Sequence, residues 1–115
     1  MVPGNGVSLQ FVGGNGLLVH GAGVQIKTTE AAVGNYNLLG AFMTSICYWY
    51  SSGYPNQNWH IWKKDLSVDN IIRKGDLITI TNDYYANQCL YSPLKEGNYY
   101  LTTTTTPGSY FWRLM

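Results

Sequence analysis

Lys74-Gly75-Asp76-Leu77-Ile78-Thr79-Ile80-Thr81-Asn82-Asp83 opens the stretch that decides the fold. Three runs follow it: Gln88-Cys89-Leu90-Tyr91-Ser92-Pro93, Asn98-Tyr99-Tyr100-Leu101-Thr102-Thr103 and Ser109-Tyr110-Phe111-Trp112-Arg113-Leu114. Each is short, rich in Ile, Leu, Tyr, Thr or Trp, and set off by polar, Gly-bearing or Pro-bearing turns, as strands joined by hairpins require. Apolar and polar residues alternate from Leu77 to Thr81 and again from Val7 to Val12, the period of a half-buried strand.

Upstream, the layout recurs. Val7 to Val12 alternates, Leu17 to His20 follows a Gly13-Gly14-Asn15-Gly16 turn, Val24 to Thr29 follows Gly21-Ala22-Gly23, and Asn35 to Leu39 closes the set. Ile26-Lys27-Thr28-Thr29 aligns with Leu101 to Thr104, and Leu17 to His20 with Cys89 to Ser92. In the middle, Thr44 to Tyr50 and Asn58 to Lys63 read as strands, and either Leu38 to Phe42 or Val68 to Ile72 supplies another. Ser67 to Gly75 also fits one helical turn, with Ser67 as cap and Gly75 as stop. Glu30 to Gly34 is too short to stand alone as a helix. The reading is a single all-β domain over 1–115, with repeat units near 5–40, 41–73 and 74–115.

Three units of short strands, each ending near an aromatic strand, resemble the β-trefoil superfamily. Asp76 to Asn82, Asn87-Gln88-Cys89-Leu90-Tyr91 and the closing Ser109 to Leu114 look like the strand, hairpin and tryptophan close of ricin-B-type lectin repeats, and Gln57-Asn58-Trp59 matches their Gln-x-Trp once. The resemblance covers 74–115 best. It implies a β-trefoil-like fold and carbohydrate binding without catalysis. It also implies an Asp early in each unit, an aromatic on its hairpin and an Asn near its close; in the last unit these fall on Asp83, Tyr91 and Asn98. A two-sheet β-sandwich is the alternative architecture, because strand count alone does not separate the two.

Composition narrows the function. Charged residues are 11% and the net charge is +1, too few cations to neutralise a nucleic-acid backbone, so no nucleic-acid partner is expected. Lys63-Lys64 and Arg73-Lys74 read as solvated turn residues. No apolar run is long enough to span a bilayer as a helix, no membrane insertion is expected, and the start does not read as a signal peptide. Localisation is open between cytoplasmic and secreted. Cys47 and Cys89 sit in separate apolar strand patterns and are expected to remain thiols.

No nucleophile and base, paired carboxylates or metal-ligand spacing is visible, so neither catalysis nor a cofactor or metal is expected. His20 and His60 read as structural or surface residues. Gly4-Asn5-Gly6 and Gly13 to Gly16 are turns, since no Lys-Ser/Thr and no helix follow them. Aromatics reach 15%, with ten Tyr and four Trp. Trp59 and Trp112, at unit-closing positions, are expected in the core. Tyr48 to Trp59 interleaves rings with amides and hydroxyls, a combination suited to sugars: a pyranose C–H face stacks on an aromatic plane while amides and hydroxyls fix its hydroxyl groups. Tyr54, Asn56, Asn58, Tyr84, Tyr85 and Asn87 lie in turns and are the candidate binding residues, joined by Asp83, Tyr91 and Asn98. Glycans or glycoproteins are the expected partners. The alternative is a protein-interaction or assembly module, such as a toxin component, a coat subunit or an inhibitor, and a homo-oligomer is compatible with either.

Overall fold

The computed structural model describes residues 9–12, 18–28, 34–43, 46–86, 88–91, 102–104 and 111–114. Nine strands form within them: β1 (Leu9–Val12), β2 (Ala22–Thr28), β3 (Leu38–Met43), β4 (Ile46–Tyr50), β5 (Trp59–Lys63), β6 (Leu77–Asn82), β7 (Cys89–Tyr91), β8 (Thr102–Thr104) and β9 (Trp112–Arg113). A single 3-10 turn, Pro55–Gln57, interrupts them, and no α-helix occurs among the described residues. All pairings are antiparallel, and the strands make one nearly closed sheet. Neither alternative for the segment forms: Ser67 to Gly75 makes bends and a turn rather than a helix, and Val68 to Ile72 contributes only the bridge from Ile71 back to Val19. Glu30 to Val33 lies outside the described residues.

Alternation explains the packing. In β2, Val24, Ile26 and Thr28 turn inward; in β5, Trp59, Ile61 and Lys63 do so. With Ile78, Ile80, Leu39, Leu90 and Trp112 they enclose one core, against which Phe11, Leu18, Cys47, Trp49 and Leu114 pack. Trp59 and Trp112 are both buried, as their positions predict. Cys47 and Cys89 form no disulfide, and burial pushes the Cys47 thiol up to about 12.

The hydrogen-bond pattern of β2-β3-β4-β5 recurs in β6-β7-β8-β9. Val24 stands opposite Trp59 and Ile78 opposite Trp112. Lys27 stands opposite Leu38 and Thr81 opposite Cys89. In each set the closing indole donates to the second strand: Trp59 Nε1 to the Leu39 carbonyl at 2.9 Å, Trp112 Nε1 to the Leu90 carbonyl at 3.1 Å. Gly21 and Gly75 hold the entry turns at φ of 84° and 91°, a backbone region that favours glycine, and their amides donate to Ile61 and Leu114. β1 relates to β2 as β5 relates to β6. These sets run over 22–63 and 77–113, so the first crosses the expected unit boundary near residue 40. Ile26 corresponds to Ile80, whereas the sequence alignment placed it against Leu101.

Lys63 departs from its reading as a solvated turn residue. It lies in β5 with its side chain inward and only 7% exposed, 3.3 Å from Asp69 Oδ1 and 3.8 Å from Asp76 Oδ2. A buried ammonium requires such partners. Lys64 stays exposed and covers the Phe111 ring at 4.6 Å. Arg73 pairs with Asp69, its guanidinium reaching both carboxylate oxygens.

Candidate functional site

Two aromatic groups flank the turn at 55–58. The first is built on the β3–β4 hairpin. Tyr48 and Tyr50, two apart on β4, share a face because side chains alternate along a strand. Tyr50 is the hub: its ring lies 5.4 Å from Tyr36, 5.6 Å from Tyr48 and 5.1 Å from Tyr54, centroid to centroid and inclined by 55° to 75°. Tyr36, Tyr50 and Tyr54 are exposed, at 54%, 38% and 44%. Tyr36 and Tyr54 thus meet through Tyr50, and the three exposed rings form one cluster. The neighbouring Tyr54 phenol raises the Tyr50 pKa above the ordinary tyrosine value.

Gln57 and Asn56 hold this group in place. Gln57, 1% exposed, donates from Nε2 to the Ser51 carbonyl at 2.6 Å and accepts from the Tyr54 amide at 3.3 Å. Asn56 donates from Nδ2 to the Ala41 carbonyl at 2.8 Å and to the Tyr48 hydroxyl at 3.3 Å. Its Oδ1 is buried without a partner beside Gly40, where a methyl group would lie 3.5 Å away.

The second group lies on the outer face of β5 and β6. His60 Nδ1 pairs with Asp83 Oδ1, and the Trp62 indole stacks beside His60 at 5.9 Å while donating to Thr81 Oγ1 at 2.7 Å. His20 meets the other side of Trp62 at 5.3 Å. Asn58 accepts from Gln25 at 3.5 Å, and its carbonyl takes the Asp83 amide at 2.9 Å. Buried Asn82 joins the two groups. Its Nδ2 donates to the Asn56 carbonyl, and its Oδ1 accepts from the amides of Tyr84 and Tyr85.

No known family model, curated protein or solved structure matches the chain. Its own two pairing sets supply the comparison instead. Leu38 pairs with Tyr50 and Cys89 with Thr104, so Thr104 occupies in the second set the place of Tyr50 in the first, and Thr102 the place of Tyr48. Trp59 and Trp112, by contrast, are the same residue making the same bond. The shared architecture needs the tryptophans and does not need the tyrosines.

The sequence candidates divide accordingly. Tyr54 and Asn56 join the tyrosine group; Asn58 and Asp83 join the outer-face group; Tyr84 follows Asp83 and is exposed at 61%. Tyr85 was read as exposed, but it is half-buried against the core, with its ring 4.9 Å from that of Tyr84. Tyr91 is half-buried on β7, away from both groups in the pairing order. Asn87 and Asn98 lie outside the described residues. Sequence reasoning missed Tyr36, Tyr50 and Trp62 as surface aromatics, and also the pairing of His60 with Asp83, 23 positions apart in the chain. Strand alternation could have placed Tyr50 with Tyr48; nothing in the sequence gives the register that brings Tyr36 to them.

A groove of about 520 Å³ lies at Lys63, Lys64, Asp65, Gly75, Asp76 and Leu77. Its charges already serve the fold: Asp76 meets Lys63 and accepts from the Arg73 amide, and Asp65 accepts from the Ser67 amide. Among the described residues no group of His, Cys, Asp or Glu could hold a metal ion.

Proposed function

We propose that the protein is a non-enzymatic, lectin-like carbohydrate-binding module of β-trefoil-like architecture. One observation carries the binding reading: Tyr36 and Tyr54 are exposed and both meet the exposed Tyr50 ring, which stands where the second pairing set carries Thr104. Aromatic ring faces suit the C–H face of a pyranose, and the phenol hydroxyls, which both donate and accept, suit its hydroxyl groups. Low charge fits a neutral ligand. The architecture is supported by the recurring pairing sets, in which an opening strand bonds to a hairpin on one stretch and to a closing strand on another. A two-sheet sandwich offers no reason for that recurrence. The His60, Asp83 and Trp62 face favours a second saccharide contact, since a carboxylate, an imidazole and an indole converge there.

A protein partner is the competing occupant of the same tyrosines, because tyrosine-rich patches also anchor protein interfaces. A glycan array followed by titration separates the two. Saturable binding of a saccharide that falls at least about tenfold in Tyr50→Ala and Tyr54→Ala, with melting temperatures nearly unchanged, supports the lectin reading. An empty array together with protein capture that depends on Tyr50 and Tyr54 replaces it with the interaction module.

A further inference from the structure

Where the chain enters β2, it lacks side chains beside two aromatic rings of the outer face. A Cβ on Gly21 would lie 3.5 Å from the Trp62 ring, and one on Gly23 would lie 3.5 Å from His60 Nε2. Gly23 pairs directly with His60 across β2 and β5, and Trp62 stands two positions farther on the same face, its ring inclined by 25° to the imidazole. The two rings therefore border a strip of bare backbone. Gly23 is exposed, and His60 keeps 37% of its side chain in water.

The recurring registers show that the strand ladder does not ask for this arrangement. β9 stands against β6 as β5 stands against β2, and β1 against β2 as β5 against β6. His60 thus corresponds to Arg113 and to Gln10, Trp62 to Val12, and Gly23 to Leu77. Imidazole, indole and glycine each occur where the equivalent strands carry something else, and all three fall in one patch.

Hydrogen bonding decides what the imidazole offers. A carboxylate only accepts, so the contact with Asp83 Oδ1 puts the ring proton of a neutral His60 on Nδ1 and leaves a lone pair on Nε2. Nε2 is the atom beside Gly23. Packing on Trp62 orients the ring, and Trp62 is itself held by its bond to Thr81 Oγ1 at 2.7 Å. Among the described residues no donor meets Nε2. An acceptor held in place and open to water calls for a hydroxyl donor, while the Asp83 carboxylate disfavours anions. The Gln25 and Asn58 amides, bonded to each other at 3.5 Å, lie two residues along β2 and β5 and add further polar groups.

We propose, resting on the lectin reading above, that His60 is the central contact of a second saccharide subsite: Nε2 accepts from a sugar hydroxyl laid over Gly21 and Gly23. Asp83 is its positioning residue, setting the tautomer that makes Nε2 an acceptor. Gly23 keeps that atom open.

The test is nuclear magnetic resonance of the histidine ring nitrogens in isotope-labelled protein at about pH 9, where imidazole is neutral. The probes are the methyl glycosides of glucose, galactose, mannose and N-acetylglucosamine, each added to about 100 mM. The free protein should show His60 unprotonated at Nε2, and that resonance should shift saturably with at least one glycoside. Gly23→Ala sets a methyl group against Nε2 in a strand position without positive φ, so it should keep the melting temperature and weaken binding at least about tenfold. Asp83→Asn offers an amide donor to Nδ1, moves the ring proton to Nε2 and should weaken binding as much, with the change of tautomer visible in the same spectra. A proton on Nε2 in the wild type overturns the proposal, and so does a glycoside that binds Gly23→Ala as tightly as the wild type. Shifts at Tyr36, Tyr50 and Tyr54 while His60 stays still overturn it and leave the lectin reading standing. If no resonance of the protein responds to any of the four glycosides, both fall.

Discussion

Tyr54 and Tyr85 were alike in the sequence, each among turn residues, and they separate in the structure. Tyr54 stands in water, whereas Tyr85 packs on the core beneath Tyr84. Replacing Tyr85 with Ala should cost about 1 to 2 kcal/mol in a urea titration, since a half-buried ring forfeits part of its transfer free energy. Asp69 is a second residue whose role is local. Hydrogen bonds from Arg73 first, then the Ile71 amide, hold its carboxyl well below the ordinary carboxylate range. A folded-state pKa below the unfolded value means its stabilisation is present above the unfolded pKa and is lost as pH falls through the folded one. Asp69→Asn should therefore lower the melting temperature at pH 7, and its deficit relative to the wild type should shrink as pH falls below about 4. An equal deficit at all pH values would contradict the ion-pair account. None of the Asp69 contacts follows from composition; Arg73 at i+4 is suggestive only on a helix, and this segment is not one.

At the level of elements, the two closing strands do the same work. Trp59 and Trp112 fill the core and tie it to the second strand of each set through one indole hydrogen bond. Phe at either position keeps most of the ring and leaves the Leu39 or Leu90 carbonyl without its indole donor, at about 1 to 3 kcal/mol. Trp112→Ala adds a cavity and should cost about 3 to 5 kcal/mol. Denaturant midpoints for Trp59→Phe and Trp112→Phe should shift by similar amounts; a large effect at one site alone would show that the two sets are not energetic equivalents. The tryptophans were legible as core from their positions at the ends of strand runs. Gln57 and Asn82 were not, because their work is to bond the loop backbone, and those partners lie outside any sequence window.

Across the whole molecule, β5 is shared: it pairs with β2 through Ala22 to Val24 and with β6 through Ile78 to Asn82, and one core cluster spans both sets. The two sets should not unfold separately. Far-UV circular dichroism and tryptophan fluorescence should report one coincident transition, with a β-type spectrum at its start; two resolved transitions would mean that the sets are independent bodies.

What the sequence by itself determined is the strand content, the inward tryptophans and the separation of the cysteines. These follow from period-2 alternation, turn residues and aromatic position, all local properties that a strand expresses wherever it is placed. Only the tertiary structure decided the bounds of the recurring sets, the burial of Lys63, the meeting of His60 with Asp83 and the gathering of Tyr36, Tyr50 and Tyr54. Each depends on register between strands far apart in the chain. Many registers satisfy the same alternation, and a shift of one residue turns a strand's inner face outward. The choice falls to the common core and the hydrogen bonds that close it.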